Sequence, residues 1–135
     1  MQNFVMSTEL QVFAWSVILF FVHLFAQSLS TTASVGLSYG AGARDEGKEP
    51  SGVLPGRFKR ALLNFSETYP VFIGLALALA VTGKSGGIAA TGAVIWIIGR
   101  VVYLPLYALG IPYIRTLAWG VAIVGLIMML IRLMS

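Results

Sequence analysis

The sequence predicts an all-α integral membrane protein, a four-transmembrane-helix bundle forming a single domain over residues 1–135. Three observations predict it. With 58% hydrophobic and 10% charged residues and a mean hydropathy of +0.88, the chain is far too apolar for a water-soluble domain of its length. Its apolar residues gather into four runs, each long enough to cross a hydrocarbon core of about 30 Å. Stretches of glycine, proline and charge separate those runs. The absence of cysteine excludes a disulfide framework and a thiol nucleophile of the protein's own, and His23 as the only histidine leaves too few ligands for a zinc site. The net charge of +4 is modest and unevenly placed, which for a membrane chain concerns orientation and not nucleic acid.

The first span is expected at about 9–34. Thr8 and Gln11 stand at capping-box spacing before the apolar run from Leu10 to about Ala26. Residues 1–10 hold no Lys or Arg and the helical pattern outlasts the apolar run, so a retained span is the better reading than a cleaved signal peptide. In its second half His23, Gln27, Ser30, Thr31, Ser34 and Ser38 share an arc of roughly 100°, a polar strip suited to hydrogen bonding between helices. His23 reads as a packed or interfacial histidine in preference to a catalytic base. From about 40 to 56 glycines, prolines and five charges replace any apolar period, and a mobile, water-exposed loop is expected.

The second span, about 58–82, carries a polar stripe into the membrane. At about 100° per residue, Arg57, Arg60, Asn64 and Glu67 fall within roughly 80°, and Pro70 follows, where a missing donor frees a carbonyl and either bends the helix or is simply tolerated, as in many membrane helices. A charge at the middle of a span costs roughly 2.5–3.5 kcal/mol, so such groups are paired, turned inward or kept near the headgroups. Two readings are open: an interfacial Arg60–Glu67 ion pair, or a binding site. Gly83 to Gly87 forms a tight turn, and the third span, about 88–110, has a second stripe in which Arg100, Tyr103 and Tyr107 lie within roughly 60°, with Pro105 among them. Tyrosines alone would make an aromatic belt, but a belt calls for no arginine on the same face. The fourth span, about 113–134, has Pro112 before it and Arg115 at its mouth. Gly36 with Gly40, and Gly74 with Ala78, have the small-xxx-small spacing that lets helices approach.

Basic residues near the span ends set an orientation. Arg44, Lys48, Arg57, Lys59, Arg60 and Arg115 lie on one side, and Lys84 and Arg132 on the other, which puts the loops bearing the six in the cytoplasm and both termini outside. Both stripes and Arg115 then meet at one depth in the cytoplasmic half. Their excess of guanidinium over carboxylate suits an anionic, water-soluble ligand.

Arg60-x-x-x-Asn64-x-x-Glu67-x-x-Pro70, followed by Arg100-x-x-Tyr103-x-x-x-Tyr107 and Pro112-x-x-Arg115-x-Leu117-x-Trp119, resembles the MAPEG family, the membrane-associated proteins of eicosanoid and glutathione metabolism. The resemblance covers roughly residues 5–135. It implies a homotrimer in the bilayer with glutathione as co-substrate, held between neighbouring protomers near the cytoplasmic face, and a hydrophobic electrophile as the second substrate. Arg60, Asn64 and Glu67 would bind the glutathione backbone, Arg60 facing a carboxylate and Glu67 the amino group; Tyr103 and Tyr107 would line it, with Arg100 supporting its charge. Arg115 would face the sulfur as the catalytic residue. A thiol of pKa about 8.5 is mostly protonated at neutral pH, and a fixed positive charge beside it raises the thiolate fraction. The chain departs from several eukaryotic members in having Ser30–Ser34 where they carry a basic residue, and Thr68 where some carry a ligand-binding tyrosine.

The function implied is that of a glutathione transferase or glutathione-dependent peroxidase. Two other classes stay open: a non-catalytic protein of the same fold that binds lipid or a partner, and a small proton-coupled drug exporter. The exporter class usually places a carboxylate within its first span, whereas here that span has only Glu9, at its outer end.

Overall fold

A computed structural model describes residues 5–135. Five helices follow one another: α1 Thr8–Val35, α2 Leu37–Ala41, α3 Leu54–Val81, α4 Ile88–Ala108 and α5 Pro112–Met134. No strand forms among the described residues, and α1, α3, α4 and α5 are long and apolar enough to cross a membrane. The chain is therefore an integral, multi-pass membrane protein.

The helix boundaries follow local chemistry. Ser7, not Thr8, caps α1: its extended backbone brings Oγ to accept the Leu10 N–H at 3.2 Å, while Gln11 donates from Nε2 to the Met6 carbonyl and makes no capping box. At the other end Gly36 (φ 96°) stops α1, so Ser38 falls on α2 and does not continue the strip that begins at His23. The strip also bonds locally: Gln27 Nε2 donates to Thr31 Oγ1 and Ser30 Oγ to the Gln27 carbonyl, within α1 itself. α3 begins at Leu54, four residues before the expected start, because Pro55 in the first turn has a backbone already set for helix. Pro70 and Pro105 lie inside continuous helices.

Side-chain size decides which helices meet most closely. α4 packs most extensively on α5, and the seam is made of small residues: Ala89, Gly92, Ala93 and Gly99 face Ala118, Ala122 and Gly125, all buried. A Cβ placed on Gly92 would lie 2.5 Å from the Gly125 carbonyl oxygen, and one on Gly99 would lie 2.9 Å from that of Ala118. These are the glycines that the packing requires. Gly36 and Gly74, singled out from spacing, have nothing within 4 Å of a Cβ inside the chain. α1 leans on α3 and α4, and an aromatic core fills the space between them, with Phe72 stacked on Trp96 at 3.9 Å and Phe65 4.6 Å from Tyr69. Tyr69 reaches α1, its hydroxyl 2.8 Å from Ser16 Oγ.

The end of the bundle that holds the α3–α4 turn is fastened by charge. Glu9 is fully buried and accepts the Gly86 N–H at 2.9 Å through Oε2. Lys84 donates from Nζ to the carbonyls of Leu133 and Ser135, both at 2.9 Å, and Arg132 Nε returns a bond to the Lys84 carbonyl. Glu9→Ala is expected to lower stability by about 1–3 kcal/mol, because it leaves the part-buried Gly86 N–H without its partner; Glu9→Gln, which keeps an acceptor oxygen, is expected to lose less. Chemical unfolding in detergent checks the order.

Candidate functional site

At the opposite end, α3, α4 and α5 bring polar groups together. Arg100 projects from the middle of α4 and is fully buried. Its Nη1 donates to Asn64 Oδ1 on α3 at 2.8 Å, and its guanidinium lies 4.4 Å over the Tyr103 ring and 5.3 Å over Phe65. The remaining donors, Nε and Nη2, have no partner in the protein. A buried guanidinium with one amide and two rings for company is far from satisfied, since burial of a charge is costly unless it is matched by hydrogen bonds or an opposite charge.

About two helical turns from Arg100 along α4, Tyr107 forms the second node. Arg60 Nε donates to its hydroxyl at 3.1 Å from α3, and the Arg115 guanidinium stacks over its ring at 4.5 Å from α5. The Tyr103 and Tyr107 rings are 5.6 Å apart, so the i, i+4 spacing on α4 becomes a continuous aromatic wall bridging Arg100 to Arg60 and Arg115. Asn64, Tyr103, Tyr107 and Arg115 line one pocket of about 230 Å³ with Thr116 and Trp119. Arg115 is in its walls, Arg60 and Arg100 contact the Tyr107 and Tyr103 that line it, and no carboxylate is in its walls, an arrangement that receives anions.

Of the seven residues singled out from sequence, six are joined here by hydrogen bonds and ring contacts. Glu67 makes no such bond and sits on the exposed face of α3, but its charge acts on Arg100 and Tyr103 from there. The Arg60–Glu67 ion pair left open by the sequence is absent, since Arg60 turns to Tyr107. Arg57, from the same stripe, caps another helix: its Nη1 donates to the Ala108 carbonyl at 3.0 Å, where the negative end of the α4 dipole favours a cation. Thr116 escaped the sequence reading, although it follows Arg115 and lies within roughly 100° of it on α5, the only signal available. Three more buried polar groups lie in the surrounding core without partners: both ring nitrogens of His23, Thr68 Oγ1 and Trp96 Nε1. His23 is stacked 4.8 Å from Phe65, packed against the ring that Arg100 also covers.

A family model described as the MAPEG family matches residues 12–135. No curated protein and no solved structure matches the chain.

Proposed function

Because the chain belongs to the MAPEG family, we propose that it binds glutathione in the arginine-lined pocket and presents the thiolate to hydrophobic electrophiles, as a membrane glutathione transferase or glutathione-dependent peroxidase. The observation that carries this reading is the convergence of Arg60, Arg100 and Arg115 on Tyr103 and Tyr107, with no carboxylate in the pocket walls. Glutathione offers two carboxylates, one ammonium and one thiol, a net anion that such a set complements.

In this reading Arg60 holds a carboxylate, Asn64 and the two phenols orient the peptide, and Arg100 supports its charge with its two unused donors. Arg115 faces the sulfur. Its fixed charge favours loss of the thiol proton to water, after which the sulfur lone pair attacks the electrophilic carbon, a C–S bond forms, and the leaving group departs with its bonding pair. With a hydroperoxide the sulfur attacks the terminal oxygen, the O–O bond breaks to give an alcohol, and a second glutathione converts the sulfenic product to disulfide and water. Turnover by purified protein with glutathione and either a halogenated nitroaromatic or an organic hydroperoxide tests the reading. Glutathione binding without either turnover assigns the chain to the non-catalytic class of the same fold.

The reading extends to a homotrimer with the ligand between protomers. Support comes from Arg60 and Glu67, both exposed on α3: a carboxylate facing lipid on a spanning helix is costly, and a neighbouring copy would cover it. Glu67 then holds the ligand ammonium. Glu67→Gln keeps the size and removes the charge; a charge-assisted bond of roughly 1.5–3 kcal/mol gives an expected loss of glutathione affinity of about ten- to a hundredfold. Unchanged affinity in the intact assembly would exclude Glu67 from the ligand's surroundings.

The site lies in the cytoplasmic half if six basic positions against two fix the orientation, with both termini outside. Single cysteines at Ser51 and Ser135 are expected to react with an impermeant reagent from the cytoplasmic and the outer side respectively. Reaction of Ser135→Cys from the cytoplasmic side alone overturns this topology.

A further inference from the structure

A second polar cavity, sharing no residue with the arginine-lined pocket, lies between the end of α1, the start of α3 and the connection 42–53. Its volume is about 440 Å³. The connection is exposed along its length, yet it is fastened at two points. Tyr39 on α2 donates its hydroxyl to the Arg44 carbonyl at 3.1 Å and accepts the Lys48 N–H at 2.6 Å, and Ser34 on α1 bonds Ser51 through its side chain and backbone. Arg44 is the only non-glycine residue with positive φ among the described residues (61°), a conformation held in place by its own Nε and Nη2, which donate to the Gly40 carbonyl at 3.0 and 2.7 Å. The strained residue lines the cavity.

Charge in the walls is one-sided. Arg44, Lys48 and Lys59 line it against one carboxylate, Glu49, with the hydroxyls of Thr31 and Tyr39 between them. Glu46 pairs with Lys48 at 3.6 Å from outside the walls, an exposed contact of little strength, and Lys59 makes no hydrogen bond or ion pair in the described residues. Gly52 and Pro55 also line a neighbouring groove of about 410 Å³ whose walls include Ala33, Val53 and Leu54. Val53 and Leu54 are exposed. A basic, hydroxyl-lined chamber beside an apolar groove, at the level where two spanning helices end, matches an amphiphile with an anionic head.

We propose that this cavity binds a phosphate-bearing anion, held as the headgroup of an anionic phospholipid whose acyl chain follows the Val53–Leu54 groove. The phosphate oxygens would accept from Lys59 and from Arg44 Nη1, the guanidinium nitrogen left over from the Gly40 contact. Because neither residue belongs to the arginine-lined pocket, the site does not depend on the glutathione reading.

The test uses the full chain in neutral detergent, offered equal amounts of phosphatidylglycerol and phosphatidylcholine, with retained lipid counted by native mass spectrometry. The wild type is expected to retain phosphatidylglycerol in preference, and Lys59→Gln to weaken that preference about tenfold without disturbing the loop, since its ammonium bonds nothing else. Arg44→Gln/Lys59→Gln should abolish the preference, and Arg44→Lys/Lys59→Arg should restore most of it. Equal phosphatidylglycerol retention by wild type and both glutamine variants overturns the site. Glycerol 1-phosphate binding as tightly as the lipid, with no discrimination between the two lipids, overturns the headgroup assignment in favour of a soluble phosphate ester.

Discussion

Gly125→Leu is expected to abolish the folded bundle. A Cβ at Gly125 would lie 2.7 Å from the Trp96 backbone nitrogen and closer still to the Gly92 carbonyl oxygen, so the atoms in the way are main chain on a packed neighbouring helix and cannot rotate aside. Overpacking a core costs typically 1–3 kcal/mol when side chains can shift. Here two helices must separate along the whole α4–α5 seam, so a loss above about 3 kcal/mol is expected, enough to unfold a marginally stable domain. Gly92→Leu should behave the same way, since its Cβ would meet the Gly125 carbonyl at 2.5 Å and Met128 Cβ at 2.9 Å. Gly120 supplies the control. Nothing lies within 4 Å of a Cβ there, and Gly120→Ala should be neutral or stabilising by up to about 1 kcal/mol through helix propensity. Unfolding midpoints and size-exclusion profiles in detergent distinguish these outcomes, and a monodisperse, normally stable Gly125→Leu protein would refute the close α4–α5 approach.

Loss of Arg115 and loss of Arg60 are expected to differ in kind. In the proposed reading Arg60→Ala removes a carboxylate partner and mainly raises the glutathione concentration needed, whereas Arg115→Ala mainly slows the step that needs thiolate. Both arginines share Tyr107, one through its hydroxyl at 3.1 Å and one over its ring at 4.5 Å, so either change loosens that ring to some extent. The ligand's own titration separates them. Removing a charge that had favoured the thiolate by one unit costs roughly 1.4 kcal/mol of preference for the ionised form. At saturating glutathione the thiolate absorbance should therefore move to higher pH by about one unit in Arg115→Ala and stay in place in Arg60→Ala. An unmoved midpoint in Arg115→Ala would make that residue a membrane-interface anchor and turn attention to Arg100, whose Nε and Nη2 have no protein partner.

Several features of the candidate site were legible because they depend on one helix at a time. The spacing of Arg100, Tyr103 and Tyr107 puts them on one face of any α-helix, and α4 keeps that face turned inward. The α3 stripe was legible as a stripe and misleading as a unit. An arc of roughly 80° is wide enough for its ends to face different neighbours, so Arg57 reaches Ala108, Arg60 and Asn64 reach α4, and Glu67 faces outward. The choice between an Arg60–Glu67 pair and separate partners was made by the position of Tyr107, on another helix.

By itself the sequence determined that the chain is an all-α membrane protein, since four long apolar runs can satisfy their backbone groups in lipid only as helices, and its motifs pointed to the MAPEG family that the match over 12–135 shows. Glycine also stands just past the ends of α1, α3 and α4, where it acts on its own neighbours. Tertiary structure alone decided which glycines matter. Small-xxx-small spacing recurs across this sequence, and only the crossing of α4 with α5 selects Gly92, Gly99 and Gly125 over Gly36 and Gly74. It likewise decided that the polar residues at the end of α1 and the charged connection after it enclose a cavity, through contacts such as Tyr39 to Lys48 and Ser34 to Ser51. Such contacts join residues many positions apart, and no periodicity along the chain records a distance that only folding makes short.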